Sequence, residues 1–354
     1  MKSWDAILVG GGVIGLSLAI ELRKRRLTVL VIERGEPGRE ASHAAAGMLT
    51  SAADPHTPPR LRQLAGASFA LYPEFVLEIE DESRRRVDFR AEGTLLFPQD
   101  SACGKPLSSE EAAKLEPALG TPLPASFLKE ASVDPRQLIA ALLRAARHRG
   151  IEIASGTPVI SLREDGGRCA GVRTARTEFH GGCVVNCAGA WAGELGAPPL
   201  PTRPVKGHML AVIPSRRQMI RHVLRGAEVY LVPRSDGRVV IGSTLEDAGY
   251  DKRVHAHVIQ SLHQLAANLV PELGEAKIIE AWTGLRPALP DELPALGRGA
   301  LDGYFIATGH YRNGILLAPI TAQVMAQVIR GEQPSCDLQA FAPSRFANAS
   351  HVSS

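Results

Sequence analysis

The stretch DAILVGGGVIGLSLAIELRKRRLTVLVIE, Asp5 to Glu33, decides the fold. Its first part, DAILVG, is a short apolar run ending in glycine and reads as a buried strand. VIGLSLAIELRKRR, Val13 to Arg26, has the spacing of an amphipathic helix, and TVLVIE, Thr28 to Glu33, is a second buried strand. A β-α-β unit therefore opens the chain. The cations Arg23 to Arg26 lie at the helix's C-terminal end, where they complement its dipole. Gly10, Gly12 and Gly15 occupy the strand-to-helix junction in G-x-G-x-x-G spacing. The first glycine permits a tight turn, the second lets a pyrophosphate approach the backbone, and the third lets helix and strand pack closely. Glu33 ends the next strand roughly 20 residues on, where an acid accepts from a ribose hydroxyl. That is a dinucleotide site. Glu33 would repel a 2′-phosphate, which leaves FAD or NAD, with Arg34 beside it in the expected cofactor shell.

Beyond this unit, Leu61 to Glu82 reads as a helix, Val87 to Pro98 as one alternating strand, and Leu107 to Pro117 as a serine-capped helix. DPRQLIAALLRAARHRG is a capped helix from Asp134 to Gly150, followed by strands at Ile151 to Ala154, Val159 to Arg163 and Cys169 to Thr174, a meander. CVVNCAGAWAG, Cys183 to Gly193, is a buried strand running into a small-residue turn. Arg203 to Gly242 is strand-like, with a hairpin signal at Ser235 to Arg238. His255 to Leu269 reads as a helix, Ile278 to Leu285 and Tyr304 to Ala307 as strands, and Ile315 to Arg330 as the last helix. Nucleotide-type pieces are thus scattered along the chain and strand-rich ones interrupt them. The expected fold class is α/β: a discontinuous Rossmann-like domain, residues 1–82, 134–204 and 280–354, with an inserted antiparallel-sheet domain, residues 83–133 and 205–279. Two further glycine-bearing segments, NCAGAW and ATGHYRNG, bracket the insertion. A large flavin across the domain floor would touch all three, so FAD fits better than NAD.

The 354-residue length exceeds the size at which single cores stop growing, in keeping with two lobes. With 22% charged residues and a formal net charge of +3, the chain gives no case for nucleic acid or an anionic membrane as partner. A small-molecule substrate is expected. The five cysteines form no paired framework and read as reduced structural thiols. Ala6 to Ile20, the longest uncharged run near the N-terminus, is too short to span a bilayer and lacks a cleavage-type ending, which makes cytoplasm the expectation. His255 and His257 lack a nearby third ligand, so no metal is expected. Lys206 and His208 in VKGHM could approach the flavin face or serve the strand structurally.

The pattern resembles the D-amino acid oxidase superfamily of FAD-dependent flavoproteins, in particular the bacterial glycine oxidases associated with thiamine biosynthesis. The resemblance runs through GGGVIGLSLA, SHAAAGML (Ser42 to Leu49), RPVKGHML, VYLVPR (Val229 to Arg234), GRVVIGST and TGLRP (Thr283 to Pro287) to ATGHYRNGILLAP, nearly the whole chain. It implies a glutathione-reductase-type FAD domain. It also implies that Gly12, Glu33, Ser42, Ala46, Gly47 and Met48 contact FAD, that Val159 lies by the adenine, and that Arg286 and Tyr230 hold a substrate carboxylate with Arg312 nearby. Where relatives carry histidine two positions before the tyrosine, this chain has Glu228, which bears on the amine accepted. With Gly10, Val13, Ile14, Gly15, Arg34, Ala45, Ala188, Gly189, Trp191, Arg286, His310, Arg312, Asn313, Gly314 and Ile315 the expected cofactor shell is complete. The expected substrate shell is Tyr230, Arg286, Arg312, Glu228 and Met48. No cysteine lies between Thr283 and Ile306, so the flavin is expected to be non-covalent.

The implied reaction is hydride transfer from Cα of glycine, sarcosine or a small D-amino acid to flavin N5. It gives an imine, then glyoxylate and ammonia, with hydrogen peroxide formed from O2. Positioning and charge are what the protein must supply. An arginine fork suits a carboxylate better than any lysine, and the start of the last helix at Gly314 can aim its N–H groups at the reduced flavin's negative edge. A homo-oligomer is implied by the resemblance. Two other classes stay open: a D-amino acid dehydrogenase feeding a quinone, and a non-redox flavin-binding module.

Overall fold

The computed structural model describes residues 2–50, 57–100, 102–121, 123–216 and 218–347. Two eight-stranded sheets organise them. At the centre of the first, Ser3–Val9 pairs in parallel with Val29–Ile32 on one side and with Glu178–Asn186 on the other. Glu152–Ala154 extends it beyond Val29–Ile32, again in parallel. Glu178–Asn186 is long enough to serve two neighbours: its first half carries the antiparallel meander Val159–Asp165 and Arg168–Thr174, and its second half carries Tyr304–Thr308 in parallel. Ala295–Arg298 closes that edge.

The helices Val13–Lys24, Arg62–Ser83, Pro135–His148 and Gly314–Arg330 contribute to one apolar cluster with residues of this sheet. Gly314–Arg330 holds Pro319 inside it, which removes the N–H that would otherwise serve the carbonyl of Ile315. Arg62–Ser83 repairs the loss. Tyr72 donates its hydroxyl to the Ile315 carbonyl at 3.0 Å, and Ser68, one turn earlier, donates to the Leu316 carbonyl at 2.6 Å. The start of the last helix is therefore pinned by side chains of another.

The second sheet runs in the order Lys277–Ala288, Arg203–Ile213, Val239–Gly242, Tyr230–Pro233, Val223–Arg225, Thr94–Leu96, Ala125–Leu128, Lys105–Leu107. It is antiparallel except where Val223–Arg225 meets Thr94–Leu96. The hairpin expected at Ser235 to Arg238 joins two of its strands, and helix Ala256–Leu269 packs on an apolar cluster of this sheet. A three-stranded sheet, Met48–Leu49, Ala131–Val133 and Phe89–Arg90, completes the strand set.

Two expectations need correction, and one short element was not expected. The strand expected from Val87 to Pro98 is broken into Phe89–Arg90 and Thr94–Leu96, which belong to different sheets; alternation signals a pleated segment but not which sheet receives it. The strand read from Ile278 is Lys277–Ala288, wholly in the second sheet, and it runs through the lobe boundary expected at 280. The short helix Ala41–Ala44 carries no periodicity long enough to read from sequence. None of the five cysteines is in a disulfide, and burial pushes the thiols of Cys183 and Cys187 up to about 12, which keeps them protonated. Residues 348–354, placed with the first lobe, lie outside the described residues.

Candidate active site

A cavity of about 720 Å³ is lined by residues from both eight-stranded sheets and from the helix starts between them. Every residue expected around cofactor or substrate lines it except Gly15. Gly15 lies behind the loop, where a Cβ would come 2.0 Å from the Gly10 carbonyl oxygen, so its role is the close helix-to-strand packing. Gly10 has φ +115°, and a Cβ there would meet the Cys187 carbonyl at 2.3 Å. The junction admits no side chain at either position.

The first turn of Val13–Lys24 has Gly12 as its cap residue, with no side chain to offer; the Val13 N–H is taken by Ser42 Oγ at 3.0 Å. Glu33 is buried, and its carboxylate accepts from the Gly11 N–H at 2.8 Å and the Gly35 N–H at 2.9 Å. Those bonds stiffen the loop and leave the carboxylate further acceptor capacity toward the cavity. Beside it, Arg34 lies over the Trp191 ring at 4.3 Å, and Trp191 stacks on Tyr250 at 5.4 Å. This wall is flat, aromatic and cationic.

At the other end the strand Lys277–Ala288 presents Arg286. Its Nη1 donates to the Thr244 carbonyl at 3.1 Å and its Nη2 to Ser243 Oγ at 2.8 Å. Both partners are neutral. Gly207, on the neighbouring strand two residues beyond the direct partner Val205, makes room, since a Cβ there would stand 2.3 Å from Nη1. Tyr230 begins its strand facing the same space, its hydroxyl donating only to the thioether of Met209 at 3.2 Å, a weak acceptor. Glu228 and Arg312 are exposed and line the same cavity.

The loop Gly309 to Asn313 is ordered from inside. His310 is buried, its Nε2 is 3.1 Å from Thr321 Oγ1, and burial depresses its proton affinity to about 3. The Tyr311 N–H donates to the Pro287 carbonyl at 2.9 Å, tying the loop to the strand that carries Arg286. Gly314 and Ile315 then bring the positive end of the last helix to the cavity, with no side chain from Asn313 capping it.

Sequence reasoning left some of the lining out. Gly207 and Met209 face the cavity while Lys206 and His208, between and beside them, do not; period-2 alternation separates the two pairs but does not say which faces inward. Ser243, at the end of GRVVIGST, and Leu245 enter from an irregular segment after the strand Val239–Gly242 and carried no expected role. Arg225 is a buried arginine on the cavity wall, 3.5 Å from Glu130, and only folding brings that partner near. Among the described residues no cluster suited to a metal ion occurs, and no helix is long and apolar enough to cross a membrane.

These features define a dinucleotide-binding oxidoreductase cleft. Residues 5–328 match the family model for FAD dependent oxidoreductases, and the chain belongs to that family. It is 35% identical to a glycine oxidase of Pseudomonas aeruginosa over 96% of this chain and 98% of that protein. It is 36% identical to the bifunctional protein ThiO/ThiG of Synechocystis sp. over 97% of this chain, and it spans about half, 54%, of that protein's length. The crystal structure of glycine oxidase from Geobacillus kaustophilus superposes with a TM-score of 0.92 at 32% identity, covering 98% of this chain and 99% of the other. The residues present fit the flavin dinucleotide: two helix starts whose own cap residues offer no side-chain bond, a glycine junction closed to any Cβ and the buried acid Glu33 all face one cavity.

Proposed function

We propose that the chain is an oxidase of glycine or another small amine such as sarcosine or a small D-amino acid, with FAD bound non-covalently. The lobe of the first sheet carries the cofactor. The lobe of the second, including the whole of Lys277–Ala288, carries the substrate. When bound, FAD supplies a two-electron acceptor. Glycine, water and dioxygen go to glyoxylate, ammonia and hydrogen peroxide: the Cα–N bond is oxidised to C=N, water hydrolyses it, and dioxygen takes up two electrons and two protons. Supply of the imine to thiazole formation belongs to the same reading and rests on the resemblance to thiamine-linked glycine oxidases.

The carrying observation is a guanidinium and a phenol, both without an acidic partner among the described residues, facing the same cavity as the glycine junction. Arg286 clamps the carboxylate by the face its neutral partners leave open, and Tyr230 gives a directional hydroxyl. Holding the small zwitterion by one end fixes where its Cα–H bond points, so no strong protein base is required. Arg312 adds positive charge near the carboxylate, and the start of Gly314–Arg330 stabilises negative charge that develops beside it. Glu228 shapes the rim and so the amine admitted.

The test is a substrate panel under argon, then in air. Glycine or sarcosine should bleach the flavin absorbance anaerobically and release one peroxide per amine in air. Absence of bleaching by any small amine would remove the reading; bleaching with dye turnover but no peroxide would point to a quinone-type acceptor.

A further inference from the structure

Behind Arg286, on the side of strand Arg203–Ile213 away from the cavity, lies a polar cluster with no part in the steps above. Thr244, whose carbonyl holds Arg286 Nη1, is itself gripped from this side. Its hydroxyl accepts from the His208 backbone N–H at 2.9 Å and donates to Glu246 Oε1 at 2.5 Å. The same carboxylate oxygen is 2.8 Å from His208 Nδ1. The backbone N–H of His255 donates to His208 Nε2 at 3.1 Å. A backbone N–H can only donate, so Nε2 is the acceptor and the neutral ring carries its proton on Nδ1, where it donates to Glu246.

The imidazole is fully buried, and burial lowers its proton affinity against the opposing pull of Glu246. The charged and titratable groups around it are Glu246, Lys206 and His255, with Asp251 4.0 Å from the Lys206 ammonium. His208 thus bridges two segments: its ring ties Glu246 to the start of helix Ala256–Leu269, and its backbone holds Thr244.

We propose that His208 and Glu246 are positioning residues for the carboxylate-binding guanidinium, acting through Thr244. The inference rests on the reading of Arg286 given above. A fork that must meet a small carboxylate with both arms is sensitive to displacements near 1 Å, and one of its two anchors is the Thr244 carbonyl, which lies between the strand end at Gly242 and the backbone bridge of Glu246 to Lys206. The half-buried His208–Glu246–Thr244 bonds add side-chain fixation to Thr244 itself, between those two points.

The experiment compares His208→Asn, His208→Gln, His208→Leu and Glu246→Gln in the FAD-loaded protein, with Arg286→Ala as reference. Asparagine can place a donor near Nδ1 and so keep the bond to Glu246; glutamine places its amide near Nε2 and loses it. The readouts are KM and kcat for glycine and the Kd of acetate, followed by the flavin absorbance change. His208→Gln and His208→Leu should raise KM and the acetate Kd about tenfold, the loss of one charge-assisted hydrogen bond, with kcat nearly unchanged. His208→Asn should restore both. Should the leucine variant fail to fold, the Asn and Gln pair decides alone. Equal KM and acetate Kd in those two variants overturn the inference while a sensitive Arg286→Ala leaves the carboxylate reading standing. An Arg286→Ala that binds acetate as the native protein does sinks both.

Discussion

Arg286 shows how much of a residue's role comes from what does not touch it. Its two anchors are uncharged, a carbonyl and a hydroxyl, so its charge is unspent within the protein, and Gly207 on the neighbouring strand leaves the guanidinium its room. Truncation to alanine should cost about 2–5 kcal/mol of transition-state stabilisation in kcat/KM, since one partner of a desolvated charge pair is removed. Arg286→Lys should recover little, because an ammonium cannot reproduce the fork. Steady-state kinetics on a fully flavin-loaded variant checks this, and unchanged kcat/KM in the alanine form would displace the carboxylate from this site. His310 stands in contrast: it lines the cavity but its burial holds it neutral, at about 3. The unfolded chain binds that proton near pH 6.5, so folding stability falls as pH drops below 6.5 and goes on falling toward about 3. His310→Gln should therefore flatten the acid side of the stability curve by about 2 kcal/mol between pH 6.5 and pH 5. Urea midpoints across that range measure it; parallel curves for the two proteins would mean that the imidazole takes up its proton as readily folded as unfolded.

At the scale of elements, the loop Ala46–Met48 and the helix Pro135–His148 are joined by one buried cation. Arg234, at the end of a strand of the second sheet, donates to the Ala46 carbonyl at 2.5 Å and the Val133 carbonyl at 3.2 Å. It also lies 4.0 Å from Asp134, whose carboxylate caps that helix by accepting from the Arg136 and Gln137 N–H groups. Burial lowers the pKa of the guanidinium against the pull of Asp134. Arg234→Leu should destabilise by about 2–4 kcal/mol, because it takes away the donor to two carbonyls and one of the two guanidinium groups beside the buried Asp134, the other being Arg238 at 3.1 Å. Flavin should be lost with it, as Ala46, Gly47 and Met48 line the cavity. Chemical denaturation and the absorbance ratio of flavin to protein report the two effects separately, and a variant with native stability would show the pair to be dispensable.

For the whole molecule, the cavity joins contributions from both sheets, so a ligand filling it should couple them. The stacked pair Trp191 and Tyr250, joined also by a hydrogen bond from the Tyr250 hydroxyl to the Ala190 carbonyl at 3.1 Å, is one such closure. FAD in hundredfold excess over its Kd should stabilise the flavin-free protein by about 2.7 kcal/mol, read as a rise in Tm. NAD at the same concentration should add nothing. An equal shift with both dinucleotides would overturn the choice of cofactor.

The chain by itself determined the β-α-β opening, the glycine junction with Glu33, and the capped helix after Asp134, because strand and helix periodicity and cap chemistry are local. It also marked GHYRNG as the entry to the last helix, since His310 to Asn313 lie beside Gly314 in the chain. Only the tertiary structure decided that Lys277–Ala288 belongs to the second sheet, that Gly207 rather than His208 faces the cavity, and that Arg286 is held by Thr244 and Ser243. Those facts depend on which edges and faces meet across long stretches of chain. A sequence states the alternation of a strand, whereas the inward side is chosen by the partner it packs against.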